Sequence, residues 1–158
     1  MSTAVLIYLV WLALITPMAN YTTNRQVNAP QDLLFRTVLD VENYPSIFPF
    51  IEKVEAQTTS ECSMNARVFI RLGIAKFQYS CLITYKPNQW IDIASDQQPF
   101  KKLRSKWTFC QSGEKTAVGY TIQADFQSKW LSAIVNRVFY SQVDYFIEKI
   151  ENKMVEGQ

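Results

Sequence analysis

The chain has 158 residues, the size of one domain, and its 48% hydrophobic against 19% charged residues exclude a disordered segment and leave enough apolar material for a sizeable core. Sixteen Lys and Arg against fourteen Asp and Glu give a net charge of +2, too balanced to argue for DNA as a partner. Histidine is absent, which removes the usual general base, triad member and commonest metal ligand, and the four glycines are too far apart to build a phosphate-binding loop.

The first charged side chain is Arg25, and Ala4 to Ile15 is an unbroken apolar run. Such a run in a helix spans roughly 18 Å, short of a ~30 Å hydrocarbon core, and fits the apolar region of a signal peptide better than a full span. Three readings of residues 1–19 stay open: a signal or short anchor, a start codon placed too early, or a helix packed on the domain. The domain proper is expected from residue 20 to 158.

Tyr21 to Val27 reads as a first strand. Asn28-Ala29-Pro30 reads as a helix entry, with Asn28 or Ala29 as the cap, Pro30 in the first turn and Asp32 near the positive helix end. Leu33, Leu34, Val38 and Val41 recur at helical spacing, and Asn43-Tyr44-Pro45 is expected to break that helix. From Ile51 the period changes to two. Strands are expected over Ile51–Thr58, around Val68-Ile70-Leu72, over Phe77–Tyr85, around Ile91-Ile93-Ser95, over Leu103–Phe109 and over Val118–Phe126. Turn signals fall at Glu61-Cys62-Ser63, Lys86-Pro87-Asn88 and Ser112-Gly113-Glu114. Ser128 then caps a long amphipathic helix from about Lys129 to Met154, with Leu131, Val135, Phe139, Val143, Phe146 and Ile150 on its apolar face. The order predicts an α+β fold, a curved antiparallel sheet of six to seven strands wrapped around one long C-terminal helix, and a cavity where the two cannot touch.

Phe77, Tyr79, Trp107, Phe109, Tyr120 and Ile122 should face the helix from the sheet. Together with the helix residues they form either core or the lining of an apolar pocket, which needs few polar anchors. Cys62, Cys81 and Cys110 form no CxxC pair and read as small buried or half-buried hydrophobes. Asp40/Glu42 and Asp92/Asp96 are carboxylate pairs at an expected helix end and on an exposed strand. No residue stands out as catalytic, and no group as a metal site. Arg67, Arg71, Lys76, Lys101, Lys102, Arg104 and Lys106 read first as a solvated strand face, with anionic lipid head groups or RNA as the alternatives.

Three motifs carry a family resemblance. Asp40-Val41-Glu42-Asn43-Tyr44-Pro45-Ser46-Ile47-Phe48-Pro49 is similar to a D-V-x-x-Y-P-x-F-x-P segment. Pro99-Phe100-Lys101-Lys102-Leu103 with Trp107 and Phe109 is similar to G-P-F-x-x-L-x-x-x-W-x-F. Val118-Gly119-Tyr120-Thr121-Ile122 leads through Asp125-Phe126-Gln127-Ser128 into the last helix. Over roughly residues 21–152 the chain resembles the START-like coenzyme Q-binding family, which includes RatA-type proteins, within the SRPBCC superfamily that also holds polyketide cyclase-like enzymes. Gln98 stands where that family usually has glycine, and Phe50-Ile51 where Trp and Cys are common.

The resemblance implies a helix-grip fold that holds ubiquinone or a similar apolar lipid as ligand, with no catalytic cofactor and no turnover, in support of respiratory electron transfer or quinone handling. It implies a ligand site drawn from Tyr44, Pro45, Phe48, Phe77, Tyr79, Phe100, Trp107, Phe109, Tyr120, Phe139, Val143 and Phe146. Tyr79, Tyr120 and Trp107 would hydrogen bond a quinone carbonyl, while an isoprenoid tail gains about 0.8 kcal/mol per buried CH₂. It also implies transient contact with a membrane surface, at a bacterial inner membrane or cytoplasm or at a mitochondrial inner membrane. A RatA-type contact with the ribosome through Lys101, Lys102 and Arg104, and a cyclase-like enzyme, are the two alternatives.

Overall fold

The computed structural model describes residues 18–129 and 144–152. Seven strands form one antiparallel sheet in the order β1-β7-β6-β5-β4-β3-β2. They are β1 (Met18–Val27), β2 (Ile51–Ser60), β3 (Ser63–Leu72), β4 (Ala75–Lys86), β5 (Trp90–Ser95), β6 (Phe100–Ser112) and β7 (Lys115–Phe126). The period-two pattern maps directly onto burial. In β6, Leu103, Ser105, Trp107 and Phe109 are buried, while Lys102, Lys106, Thr108 and Cys110 point outward. Gly73 and Gly113 sit at hairpin turns with φ near +64° and +63°, where a Cβ would be strained. Register breaks between Ile51 and Lys53, Thr58 and Ser60, and Phe100 and Lys102 mark bulges that help to bend the sheet.

β1 begins at Met18 rather than Tyr21. The long β7 strand offers a ladder partner all the way to Asp125, and Met18 pairs with it. At Gly119 β7 is pressed between two neighbours: a Cβ there would collide with Thr108 Oγ1 of β6 and lie 3.2 Å from Asn24 Oδ1 of β1. β1 and β2 are opposite edges of the sheet. The segment joining them holds α1 (Gln31–Leu39) and a 3₁₀ turn (Val41–Ser46).

Both ends of α1 differ from expectation. Pro30 is itself the N-cap and makes no side-chain cap bond. The exposed Gln31 N–H donates instead to Gln111 Oε1 at 3.0 Å, from β6 eighty positions away. Thr116 Oγ1 donates to the Ala29 carbonyl at 2.7 Å and fixes the chain just before the helix. The helix stops at Leu39, and Asn43-Tyr44-Pro45 lies within the 3₁₀ turn rather than ending α1. Pro45 lies inside this segment, where its missing N–H costs one bond of a short turn rather than interrupting a long ladder. α1 buries Leu34, Phe35 and Val38, with Leu33 only half-buried.

The polypeptide is again helical at Lys129 and over 144–152 (α2). Phe146, Ile147 and Ile150 of α2 are buried, at the expected three- and four-residue spacing, with Tyr145 and Glu148 exposed. Asp144 lies 3.5 Å from Arg25 of β1, and Lys149 Nζ donates to the Ser46 carbonyl at 3.5 Å. The expectations for residues 1–17, 130–143 and 153–158 lie outside the described residues. Among the described residues no helix is long and apolar enough to cross a membrane.

Candidate ligand cavity

The concave face of the sheet does not fill completely against α2 and the 3₁₀ segment. A cavity of about 140 Å³ lies between them. β2 and β3 supply Ile51, Val54, Ala66, Val68, Ile70 and Leu72; β4 and β5 supply Phe77, Tyr79, Cys81, Ile83 and Ile93. β6 and β7 add Phe100, Leu103, Ser105, Trp107, Tyr120, Ile122 and Phe126, while Val41, Tyr44, Phe48, Phe50 and Phe146 close it from the helical side. Each strand contributes alternate residues, as the pleat dictates.

Of the residues expected at the site, Tyr44, Phe48, Phe77, Tyr79, Phe100, Trp107, Tyr120 and Phe146 line the cavity. Phe146 joins the three walls: its ring centroid is 5.7 Å from Tyr44, 5.3 Å from Phe48 and 5.7 Å from Trp107. Phe109 does not line it. Phe35 of α1 packs edge-on at 6.0 Å and Trp107 stacks at 6.4 Å, so Phe109 belongs to the solid core under α1. Pro45 is outside the lining too, and half-buried in the 3₁₀ turn. Phe139 and Val143 fall outside the described residues. The small lining residues Ala66, Cys81 and Ser105 are not among the expected site residues, although each lies two positions from a lining residue on its strand.

The polar groups in this lining are few. Tyr44 Oη donates to the Val38 carbonyl at 2.5 Å, so that phenol is held by the end of α1. The Tyr120 hydroxyl is hydrogen bonded to Ser105. Among the described residues the Tyr79 hydroxyl has no hydrogen-bond partner; its ring meets Phe100 edge-on at 4.9 Å. Tyr44 and Tyr79 are half-buried, and both line the cavity. Burial pushes the Tyr44 and Tyr79 phenols far above the ordinary tyrosine range. It pushes Tyr120 to about 12, with the Ser105 hydrogen bond pulling the other way, and the Cys81 thiol to about 11. All four groups are neutral near pH 7 and serve as hydrogen-bond donors or acceptors, not as charges.

The charged residues lie elsewhere. Glu42 accepts the Ala56 N–H at 3.0 Å. Asp92 is 3.7 Å from Lys106, and Asp96 holds Arg104 through two contacts at 3.0 and 3.2 Å. These three carboxylates are thus engaged in shaping strands and turns. The three cysteines are free; Cys81 is buried and Cys62 half-buried, as expected, whereas Cys110 is exposed.

A curved open sheet closing on a C-terminal helix around an apolar hole defines a START-like helix-grip domain, an architecture for enclosing a small hydrophobic molecule. The family model for polyketide cyclase/dehydrase and lipid transport proteins matches residues 27–151, and the chain belongs to that family. Solved structures agree on the fold at low identity. An 18 kDa protein, CC1736, from Caulobacter crescentus shares 20% identity, with a TM-score of 0.72 over 89% of this chain and 99% of its own. The Zhui aromatase/cyclase from Streptomyces sp. R1128 shares 16% identity at TM-score 0.72, over 86% of this chain and 93% of its own. A STAR-related lipid transfer protein from Xanthomonas axonopodis shares 11% identity at TM-score 0.68, over 86% and 88%.

Proposed function

We propose that this protein holds the head of an apolar carbonyl-bearing lipid, a quinone in our reading, and carries it without turnover. The observation that supports this most directly is the Tyr79 hydroxyl, which has no hydrogen-bond partner among the described residues, in a cavity that otherwise offers mainly hydrocarbon. A ligand carbonyl set beside it would accept its O–H, a gain of about 0.5–1.5 kcal/mol for a neutral hydrogen bond. A quinone offers such an acceptor and no competing donor. The family description, which includes lipid transport, is consistent with it. The resident cavity is small beside the roughly 300–1,000 Å³ of pockets that enclose a drug-sized molecule, so the head would enter and a long tail would remain outside.

The test has two arms. Organic extraction of the purified protein is expected to release a quinone or related lipid. Titration with a short-tail quinone is expected to quench the fluorescence of Trp107, with Trp107→Phe removing most of the response. Empty extracts together with a flat titration sink the proposal.

A cyclase-like enzyme is the second reading, favoured by the likeness to the Zhui aromatase/cyclase. It would have to run proton transfers through phenols and a thiol that burial makes poor acids at neutral pH. Accelerated ring closure of a linear poly-ketone would establish it. Contact with ribosomes would rest on Lys101 and Lys102, since Arg104 is held by Asp96.

A further inference from the structure

We propose that the β3–β4 hairpin tip is a docking element for an anionic bilayer surface and delivers the cavity rim to the lipid. This rests on the reading of the cavity as a lipid site. Ile74, at the apex beside Gly73, is fully exposed (105%), whereas most large apolar side chains of the strands are buried. A large aliphatic side chain held entirely in water at a hairpin apex gains nothing for the fold, and inserting it into a bilayer would recover its transfer energy.

The surroundings point to the same partner. Leu72 and Phe77 flank the tip, line the cavity and remain half-exposed. Phe50, also lining and half-exposed, is tied to this end because its carbonyl accepts the Arg71 N–H at 2.9 Å. These three residues bring the wall of the cavity up to the hairpin that carries Ile74. The cavity volume of about 140 Å³ leaves a lipid tail to emerge there. β5 pairs with β4 only over Leu82–Lys86, so Ala75–Cys81 runs on toward the tip with no strand on that side. The tip thus projects past the end of β5.

The charge suits anionic head groups. Arg71 and Lys76 flank Ile74 and share the single carboxylate of Glu52, which leaves a net positive tip. β6 starts at the same end of the sheet, as the Tyr79–Phe100 ring contact at 4.9 Å shows, and Lys101 and Lys102 follow Phe100, both exposed. Each cation near an anionic surface adds attraction that falls off within a Debye length.

The full-length protein would be mixed with vesicles of phosphatidylcholine plus phosphatidylglycerol, or of phosphatidylcholine alone, and followed by flotation and amide hydrogen exchange. Protection of residues 70–77 is expected on the anionic vesicles and should be weaker on the neutral ones. Ile74→Glu should abolish that protection and slow quinone uptake from vesicles by about tenfold or more, the scale set by losing one inserted aliphatic side chain. Uptake of a short-tail quinone free in solution should be unchanged, because Ile74 does not line the cavity. No protection of residues 70–77 on anionic vesicles, or unaltered protection in Ile74→Glu, overturns the docking surface. Loss of quinone binding in solution would instead count against the cavity reading, and protection that appears only with an added protein partner would also overturn a lipid surface as the partner.

Discussion

At the scale of single residues, the cavity is defined less by its hydrophobes than by how its few hydroxyls are engaged. Tyr44 is anchored by Val38, and Tyr120 by Ser105, so on the proposed function Tyr79 is the hydroxyl that meets the ligand. Tyr79→Phe removes only that hydroxyl. It is expected to weaken short-tail quinone binding about three- to tenfold, the worth of one neutral hydrogen bond, with stability unchanged or slightly raised. An unchanged titration would show that Tyr79 does not read the head group. The buried acids also set an alkaline limit. In the unfolded chain Cys81 ionises near 9 and Tyr120 near 10, but in the folded protein near 11 and 12. Below pH 9 both states keep these protons and the groups contribute full stability. Above it the unfolded state is stabilised first, so stability should fall as pH rises from about 9 to 12, by roughly 2–3 kcal/mol per group at the end. Denaturant midpoints measured from pH 7 to 11 would reveal the decline, and Cys81→Ala should lessen its early part.

At the scale of elements, the strands were legible because each buries one face, and alternation reports that face directly. Tyr79, Trp107 and Tyr120 were placed correctly on this ground alone. Three errors share one cause: the deciding partner is distant in sequence. β1 extends to Met18 because β7 is there to pair with it. Phe109 leaves the cavity because Phe35 covers it. The start of α1 is fixed by Gln111 and Thr116, not by a local cap. Thr116 is 0% exposed, so Thr116→Val, nearly the same shape, would strand the Ala29 carbonyl. A loss of about 1–3 kcal/mol in chemical denaturation is expected. A loss within error would mean that water replaces the hydroxyl. Quinone binding should survive, since Thr116 lies outside the lining.

At the scale of the molecule, a hole in the core is a stability deficit maintained where a ligand can use it. Ala66 is buried and lines the cavity from β3. Ala66→Leu would place three more carbons in that space. It should raise stability by about 0.5–2 kcal/mol and weaken ligand binding at least tenfold. Lower stability with binding intact would mean that the space beside Ala66 is already filled. The fold class and the apolar character of the hole were readable from two interleaved periods. The volume of the hole and the position of its mouth were not, because both depend on how far the sheet curls.

The pairing of Met18 with Asp125 also bears on how the protein is made. Synthesis at about 5–20 residues per second means that β1 emerges roughly 5–20 s before the last residues of its only strand neighbour. Throughout that interval β1 has no ladder, and the opposite edge, β2 with β3, can already form. The strand that closes this edge of the sheet is therefore made well before its partner, and each pairing bridges about a hundred residues. Such long-range closure slows folding, so the finished cavity should appear late, after most of its wall is standing.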